Sequence, residues 1–397
     1  QVEYFMQGTE YGDEKLKQNM ADELRARLTT CQKEGRPLRV YCGFDPRKAD
    51  LHLGHTVPMR KLRQFQELGH DVTFLIGNYT SLIGDPSDKD ILRPQLTQDE
   101  VAVNAQTYAD QAFRILEADK THIRYNAEWL AGLTFEQLIK LASNFTIQQF
   151  LTRENFKLRW DKNDAIYLHE TFYSIMQGFD AYALKADVQI GGTDQLFNIM
   201  TAARKIMTSL GAQPNIAIIL GILPGTDGVV KMSKSLGNHI PINTNANDMY
   251  GKVMSIPDIA MGQYFRLTTR MTPPDIAAVE NAVKDGSIHP RDAKMRLARE
   301  IVGAFYSDEE ALEAEKVFVE TFQKGAVPEE IPSYKLKGGQ NVIDIMLDAD
   351  LAKSKSDARR LVDQKGVKFA GTAVEDATAE MNKAGVLQVG KRHFLRL

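Results

Sequence analysis

The chain has 397 residues, 43% hydrophobic and 25% charged, with a formal net charge of −3. That length predicts two or three domains, and the near-neutral charge excludes a globally basic nucleic-acid binder, so any basic surface has to be local. Two cysteines, Cys31 and Cys42, exclude a disulfide framework and fit no metal motif; no apolar run approaches the ~20 residues that span a membrane.

In chain order, residues 13–35 carry apolar and charged residues at helical spacing, stopped by Gly35-Arg36-Pro37. Leu38–Phe44 reads as a short strand, residues 54–68 as a helix ending at Gly69, and Asp71–Ile76 as a buried strand. Strand, crossover helix and strand predict an α/β fold with a parallel sheet. Val188-Gln189-Ile190 and Ile216–Leu223 fit further strands. Residues between about 100 and 185 read as mainly helical, an insertion between two halves of the sheet. A helical, charged stretch runs from about 245 to 325. Gly325, Pro328, Pro332 and Gly338-Gly339 mark a linker before a small tail. Gln1-Val2-Glu3-Tyr4 has neither the basic nor the apolar stretch of a leader, so a reducing, cytoplasmic setting is expected.

Two short motifs carry chemistry. Asp50-Leu51-His52-Leu53-Gly54-His55 follows the first strand and opens a helix. Free backbone N–H groups and the helix dipole make such an end an anion site. His52 and His55, three apart, share a face of the first turn, and Gly54 leaves the backbone open to close approach. A plain helix start with two exposed histidines is the alternative; a metal pair is disfavoured, because no nearby Cys or carboxylate has ligand spacing. The second motif is Lys231-Met232-Ser233-Lys234-Ser235, then Leu236-Gly237-Asn238. Two lysines three apart beside small hydroxyls and a glycine suit a loop closing over phosphates, although a lone pair of this kind reads rather as a solvated basic loop.

Together these motifs resemble the signatures of class I aminoacyl-tRNA synthetases. Tyr41–Pro46, Leu82–Ser87, Tyr173–Asp180 and Gln189–Gln195 narrow the resemblance to the bacterial-type tyrosyl enzymes, over most of residues 30–397. The resemblance implies a Rossmann-like catalytic domain over 1–240 with a helical insertion at about 120–185. An α-helical anticodon-binding domain would follow over 241–325, and a small α+β S4-like RNA-binding domain over 333–397. It implies that Tyr41 and Asp180 hold the phenol of tyrosine, and that Tyr173, Gln177 and Asp85 hold its ammonium. Gln195 would contact the reacting carboxylate or phosphate. His52, Gly54 and His55 would meet the phosphates of ATP, Gly192, Asp194 and Cys42 its ribose, and Gly43 and Asp45 would line the same site. Lys231, Met232, Ser233, Lys234 and Ser235 would form the closing loop. Lys89 and Arg93 match basic residues near the pyrophosphate or the tRNA acceptor end. Arg47 departs from the pattern, standing where a small hydroxyl residue is expected.

The tail from Val342 to Gly371 resembles an S4-type domain through Lys353–Val362 and Gly366-Val367. Residues 333–397 hold 12 Lys/Arg against 8 Asp/Glu, and Lys353, Lys355, Arg359 and Arg360 are the expected RNA contacts. The resemblance implies tyrosine, ATP and tRNA(Tyr) as substrates, Mg2+ carried by the nucleotide without a protein metal site, and a homodimer whose interface is expected around 125–165. A tryptophan-specific enzyme of the same class, a catalytically silent RNA-binding relative and an adenylyltransferase of the same superfamily are the alternatives.

Overall fold

The computed structural model describes residues 1–46, 51–86, 97–323, 331–378, 380–390 and 393–397. Asp50 and the expectations for Arg47, Ser87, Lys89 and Arg93 lie outside the described residues. The chain forms two compact units, residues 1–311 and 312–397.

The first unit is built on a parallel five-stranded sheet: β1 Arg39–Phe44, β2 Asp71–Ile76, β3 Thr121–Tyr125, β4 Val188–Gly192 and β5 Ile216–Leu220. The strand order is β3-β2-β1-β4-β5. The chain therefore winds outward from β1 in one direction and then the other, and the winding reverses between β1 and β4. In such sheets ligands bind at the carboxyl ends of the two strands flanking the reversal. β5 is buried along its whole length, as expected for a strand covered on both faces.

Helix Glu14–Lys33 starts on an Asp13 cap that accepts from Leu16 N–H. Helix Leu53–Glu67 crosses from β1 to β2 and ends before Gly69, which turns the chain at φ +78. Helix Leu168–Ala183 packs on the stretch 197–209, whose first part, Phe197–Ala203, is wound as a π-helix. Gly178 permits the close approach: a Cβ there would stand 2.7 Å from Ile206 Cδ1 and 3.2 Å from the Ala202 carbonyl.

One strand departs from the sequence expectation. The segment read as mainly helical contains β3, an edge strand whose side chains alternate between half-buried and exposed. Its sequence, Thr-His-Ile-Arg-Tyr, lacks the continuous apolar run of the inner strands because only one side of it is covered.

At the amino ends of β1 and β4 the carboxylate of Asp187 gathers three guanidiniums. It accepts from Arg27 at 2.9 Å, from Arg36 at 2.8 Å and from Arg39 at 3.3 Å, and also from the Arg39 backbone N–H at 2.9 Å. Burial would raise this carboxyl, but the bonds from Arg36, the Arg39 backbone and Arg27 outweigh it and bring it down to about 2.

Helices from Ala246 to Phe305 pack in the same unit, with helix Ala246–Met254 against Pro290–Phe305 and Met261–Thr268 against Leu53–Glu67.

The second unit holds helices Val342–Asp348 and Lys355–Asp363 and a four-stranded antiparallel sheet: β6 Val367–Phe369, β7 Thr372–Ala373, β8 Val386–Val389 and β9 His393–Arg396. Its own core gathers Val342, Ile345, Met346, Ala358, Val362, Val367 and Leu387. Lys353, Lys355, Arg359 and Arg360 are all exposed; Arg360 pairs with Asp357 at 2.6 Å.

Candidate active site

The carboxyl ends of β1 and β4 bring Tyr41, Cys42, Gly43, Asp45, Gly192, Asp194 and Gln195 to the switch point. Gly43 is exposed there, while Cys42 is buried and its thiol is pushed up by burial and by the nearby Asp194. Helix Leu168–Ala183 adds Tyr173, Gln177 and Asp180 at i, i+4 and i+7, a single face.

Tyr41 and Asp180 lie together in a nearly water-free interior, 1% and 2% exposed. Asp180 accepts from Trp129 Nε1 at 2.7 Å and from Asn126 Nδ2 at 3.3 Å. Burial pushes its carboxyl up to about 8, against those two bonds, which favour the ionised form. The Tyr41 hydroxyl has no hydrogen-bond partner among the described residues, and neither has Gln177 Oε1. An unpartnered buried polar atom costs about 1–3 kcal/mol, so both are groups that a polar ligand would satisfy. Tyr173 donates to Asp45 Oδ2 at 3.0 Å, and Thr80 donates to Asp45 Oδ1 at 2.7 Å. Gly77 leaves room for that carboxylate, since a Cβ there would stand 2.1 Å from Asp45 Oδ1. Asp85 accepts from Gln195 Nε2 at 2.6 Å.

The two sequence motifs meet here. Leu53 N–H donates to the Ile240 carbonyl at 2.8 Å and Ile242 N–H to the Leu51 carbonyl at 3.3 Å, pairing residues 51–53 with 240–242. The rings of His52 and His55 stack with centroids 3.7 Å apart. His55 Nδ1 accepts from the His52 backbone N–H at 3.1 Å. In the neutral ring the proton then resides on Nε2, which becomes a donor. A Cβ on Gly54 would meet the His52 ring at 3.1 Å and Met232 Cβ at 3.6 Å, so the glycine keeps this junction close.

The Lys231 loop is tied at its base. Asn238 donates to Asp227 at 2.5 Å and accepts from Ser233 N–H at 2.8 Å, and Gly237 turns the chain at φ +69. Met232 is buried and anchors the loop, whereas Lys231, Lys234 and Ser235 are exposed. Ser233 and Ser235 hydroxyls lie 2.9 Å apart, and Lys231 Nζ stands 3.2 Å from Asp194 Oδ2. A Cβ on Gly192 would come within 2.6 Å of the same carboxylate's Oδ1.

Sequence reasoning missed Asn126, Trp129 and Thr80. Asn126 directly follows β3, so recognising that strand would have placed it at a carboxyl end beside the site. Among the described residues no three His, Cys, Asp or Glu side chains converge as a metal cage, and no helix is long and apolar enough to cross a membrane.

If burial holds Asp180 near 8, the folded chain keeps a proton there that the unfolded chain gives up near 4. Stability without ligand therefore falls as pH rises from about 4 to about 8 by up to ~1.4 kcal/mol per unit, and levels off above. Asp180→Asn removes this slope. Denaturant midpoints of both proteins between pH 5 and 9 check it; parallel profiles would contradict the raised carboxyl.

The family model described as tRNA synthetases class I (W and Y) matches residues 32–323. A tyrosine–tRNA ligase of Moorella thermoacetica is 46% identical over 95% of this chain and 92% of its own length. The one from Thermotoga maritima is 44% identical over 96% of each. Among solved structures, a tyrosyl-tRNA synthetase from Archaeoglobus fulgidus, complexed with L-tyrosine, aligns at TM-score 0.59 and 19% identity over 79% of this chain and 98% of that one. A truncated mitochondrial enzyme of Aspergillus nidulans aligns at 0.57 and 23%, over 70% and 84%. These two likenesses show the fold. With its parallel sheet, its paired His52–His55 and Lys231–Ser235 motifs and these relatives, the chain belongs to the class I tRNA synthetases of the tryptophan and tyrosine family, among its tyrosine–tRNA ligases.

Proposed function

We propose that the chain joins tyrosine to tRNA(Tyr) in two steps, and that the residues gathered at the β1–β4 switch point do the chemistry. The observation that carries the choice of amino acid is the buried pair of Tyr41, whose hydroxyl has no partner among the described residues, and Asp180, held by Trp129 and Asn126. A phenol both donates and accepts: it donates to a carboxyl oxygen of Asp180 and accepts from the Tyr41 hydroxyl. An indole offers one donor and no acceptor, and phenylalanine offers neither, so both leave buried groups unpaired.

In the first step the tyrosine carboxylate attacks the α-phosphorus of ATP, the bond from that phosphorus to the α,β-bridging oxygen breaks, and pyrophosphate leaves with that oxygen. The carboxylate is ionised at pH 7, its pKa being about 3.5, so the step needs alignment and charge stabilisation, with no general base. Tyr173, Gln177 and Asp85 hold the ammonium. Gly43, Cys42, Gly192 and Asp194 bound the ribose, and Asp45 and Gln195 line the reacting groups. His55 Nε2–H, His52, Lys231 and Lys234 stabilise the charge that grows on the phosphates. Met232 anchors the loop, and the Ser233 and Ser235 hydroxyls donate from it. Lys231 leaves Asp194 when the ribose takes that carboxylate. Mg2+ travels with the nucleotide. In the second step a ribose hydroxyl of the tRNA 3′ adenosine displaces AMP from the adenylate.

The domain reading is a catalytic domain over 1–240, a helical anticodon-binding domain over 241–325 and an S4-like domain over 333–397. Lys353, Lys355, Arg359 and Arg360 carry phosphate contacts from the last. The working form is a homodimer in the cytoplasm, where ATP and tRNA are held. Supporting the homodimer, the helical insertion exposes Phe135, Ile139, Ile147, Trp160 and Leu168, and a large exposed apolar area is unusual on a monomer.

ATP–pyrophosphate exchange without tRNA tests the first step. Exchange is expected with tyrosine and not with tryptophan or phenylalanine. Asp180→Ala should lower kcat/KM for tyrosine at least ~10-fold, and Lys231→Ala should lower kcat ~10²-fold; exchange with tryptophan alone would overturn the pocket. Arg359→Ala should weaken tRNA binding and reduce its log–log salt slope by about one, and an unchanged slope removes Arg359 from the RNA contacts. Sedimentation should give a dimer that Trp160→Glu splits, and a monomeric parent protein would end the dimer reading.

A further inference from the structure

A continuous chain of hydrogen bonds, buried at its first two links and half-buried at its last two, runs from the start of helix Glu154–Asp161 to Asp85. Arg153 donates to Ser174 Oγ at 2.8 Å, and Ser174 donates to Asn198 Oδ1 at 2.7 Å. Asn198 Nδ2 donates to Gln195 Oε1 at 2.9 Å, and Gln195 Nε2 donates to Asp85 Oδ2 at 2.6 Å. Ser174 and Asn198 are fully buried and Arg153 is 6% exposed.

The two ends fix the direction of every bond between them. A guanidinium has only hydrogens to give, so Ser174 must accept from Arg153 and has its own hydrogen to pass on. Asn198 presents its oxygen to that hydrogen and its amide hydrogens to Gln195. Gln195 presents its oxygen to Asn198 and its amide hydrogens to Asp85. At the far end a carboxylate can only accept, which agrees. Each link in a buried chain polarises the next, and a reversed amide anywhere would set two oxygens or two N–H groups face to face. Arg153 is itself held by stacking over Phe156 and Phe197, at 5.0 and 5.2 Å from their ring centroids. Asn155 on the same helix donates to the Pro86 carbonyl, fixing the turn that carries Asp85.

We propose that Arg153, Ser174 and Asn198 are positioning residues for tyrosine. By orienting the Gln195 amide they hold Asp85 where its carboxylate receives the substrate ammonium. This rests on the reading of Asp85 as an ammonium partner. None of the three residues touches substrate; they act through Gln195.

The test compares wild type with Ser174→Ala, which keeps the Arg153 charge but breaks the chain, and with Arg153→Gln, whose amide no longer dictates direction. In exchange assays both variants should raise KM for tyrosine about tenfold while KM for ATP stays unchanged. By calorimetry, affinity for tyramine, which keeps the ammonium, should fall by the same factor, and affinity for 3-(4-hydroxyphenyl)propionate, which lacks it, should hold. Charge alone predicts the opposite sign for Arg153→Gln, because removing a cation near Asp85 favours an incoming ammonium. An unchanged KM for tyrosine in Ser174→Ala, a tighter site in Arg153→Gln, or equal losses for both analogues would overturn the relay. Wild-type protein that fails to exchange with tyrosine would instead overturn the substrate reading on which it rests.

Discussion

The pairing of β1 with β4 is the constraint on which the site depends. These strands are far apart in sequence, yet Val40 stands beside Val188 and Tyr41 beside Gln189. Their parallel register puts the two carboxyl ends at one level, so the turn after β1 and the turn after β4 open onto the same crevice. The base of the junction is locked by Asp187, which binds the Arg39 backbone and three guanidiniums at once. Removing one partner of a buried ion pair costs about 3–5 kcal/mol because the other is left charged and dry. That penalty attaches to the buried Arg27–Asp187 pair, which fixes the carboxylate in place, and the Arg39 backbone N–H then ties β1 to it at the end away from the chemistry.

At the reacting end the polar groups divide into two kinds. Asp45, Asp85, Asp180 and Asp194 already have donors: Tyr173 and Thr80, Gln195, Trp129 and Asn126, and Lys231. The Tyr41 hydroxyl and Gln177 Oε1 have none among the described residues. A site arranged in this way binds by completing bonds rather than by making its carboxylates move. It also carries its selectivity in the same terms, since a ligand that fails to complete them leaves a buried group desolvated and unpaired.

The loop from Lys231 to Ser235 is built on a different principle. Its base is bolted by Asn238 and Asp227 and its middle by buried Met232, whereas its lysines and Ser235 stay in water. Such a segment can shift its charged tips without unfolding its anchor, and that anchor lies beside the histidine pair, since a Cβ on Gly54 would stand 3.6 Å from Met232 Cβ. The chain of hydrogen bonds from Arg153 to Asp85 works in the opposite sense: each member is held by its neighbours, and its role lies in the direction of its bonds.

The sequence by itself determined the α/β class, the inner strands and both chemical motifs. Asp71–Ile76 is mostly apolar because it is covered on both faces, and the His52–His55 spacing marks a helix start, with His52 at the cap and His55 in the first turn. These are properties of short segments, set by periodicity and by side-chain chemistry. The edge strand Thr121–Tyr125 was not legible in this way, because its half-covered, alternating pattern does not stand out from its polar neighbours. Only the tertiary structure decided that Asn126 and Trp129 hold Asp180, that Lys231 rests on Asp194, and that Arg153 reaches Asp85 through three intermediaries. All of those contacts but the local Asn198–Gln195 bond join residues separated by some twenty positions or more, and their existence depends on strand order and helix packing, which no local pattern encodes.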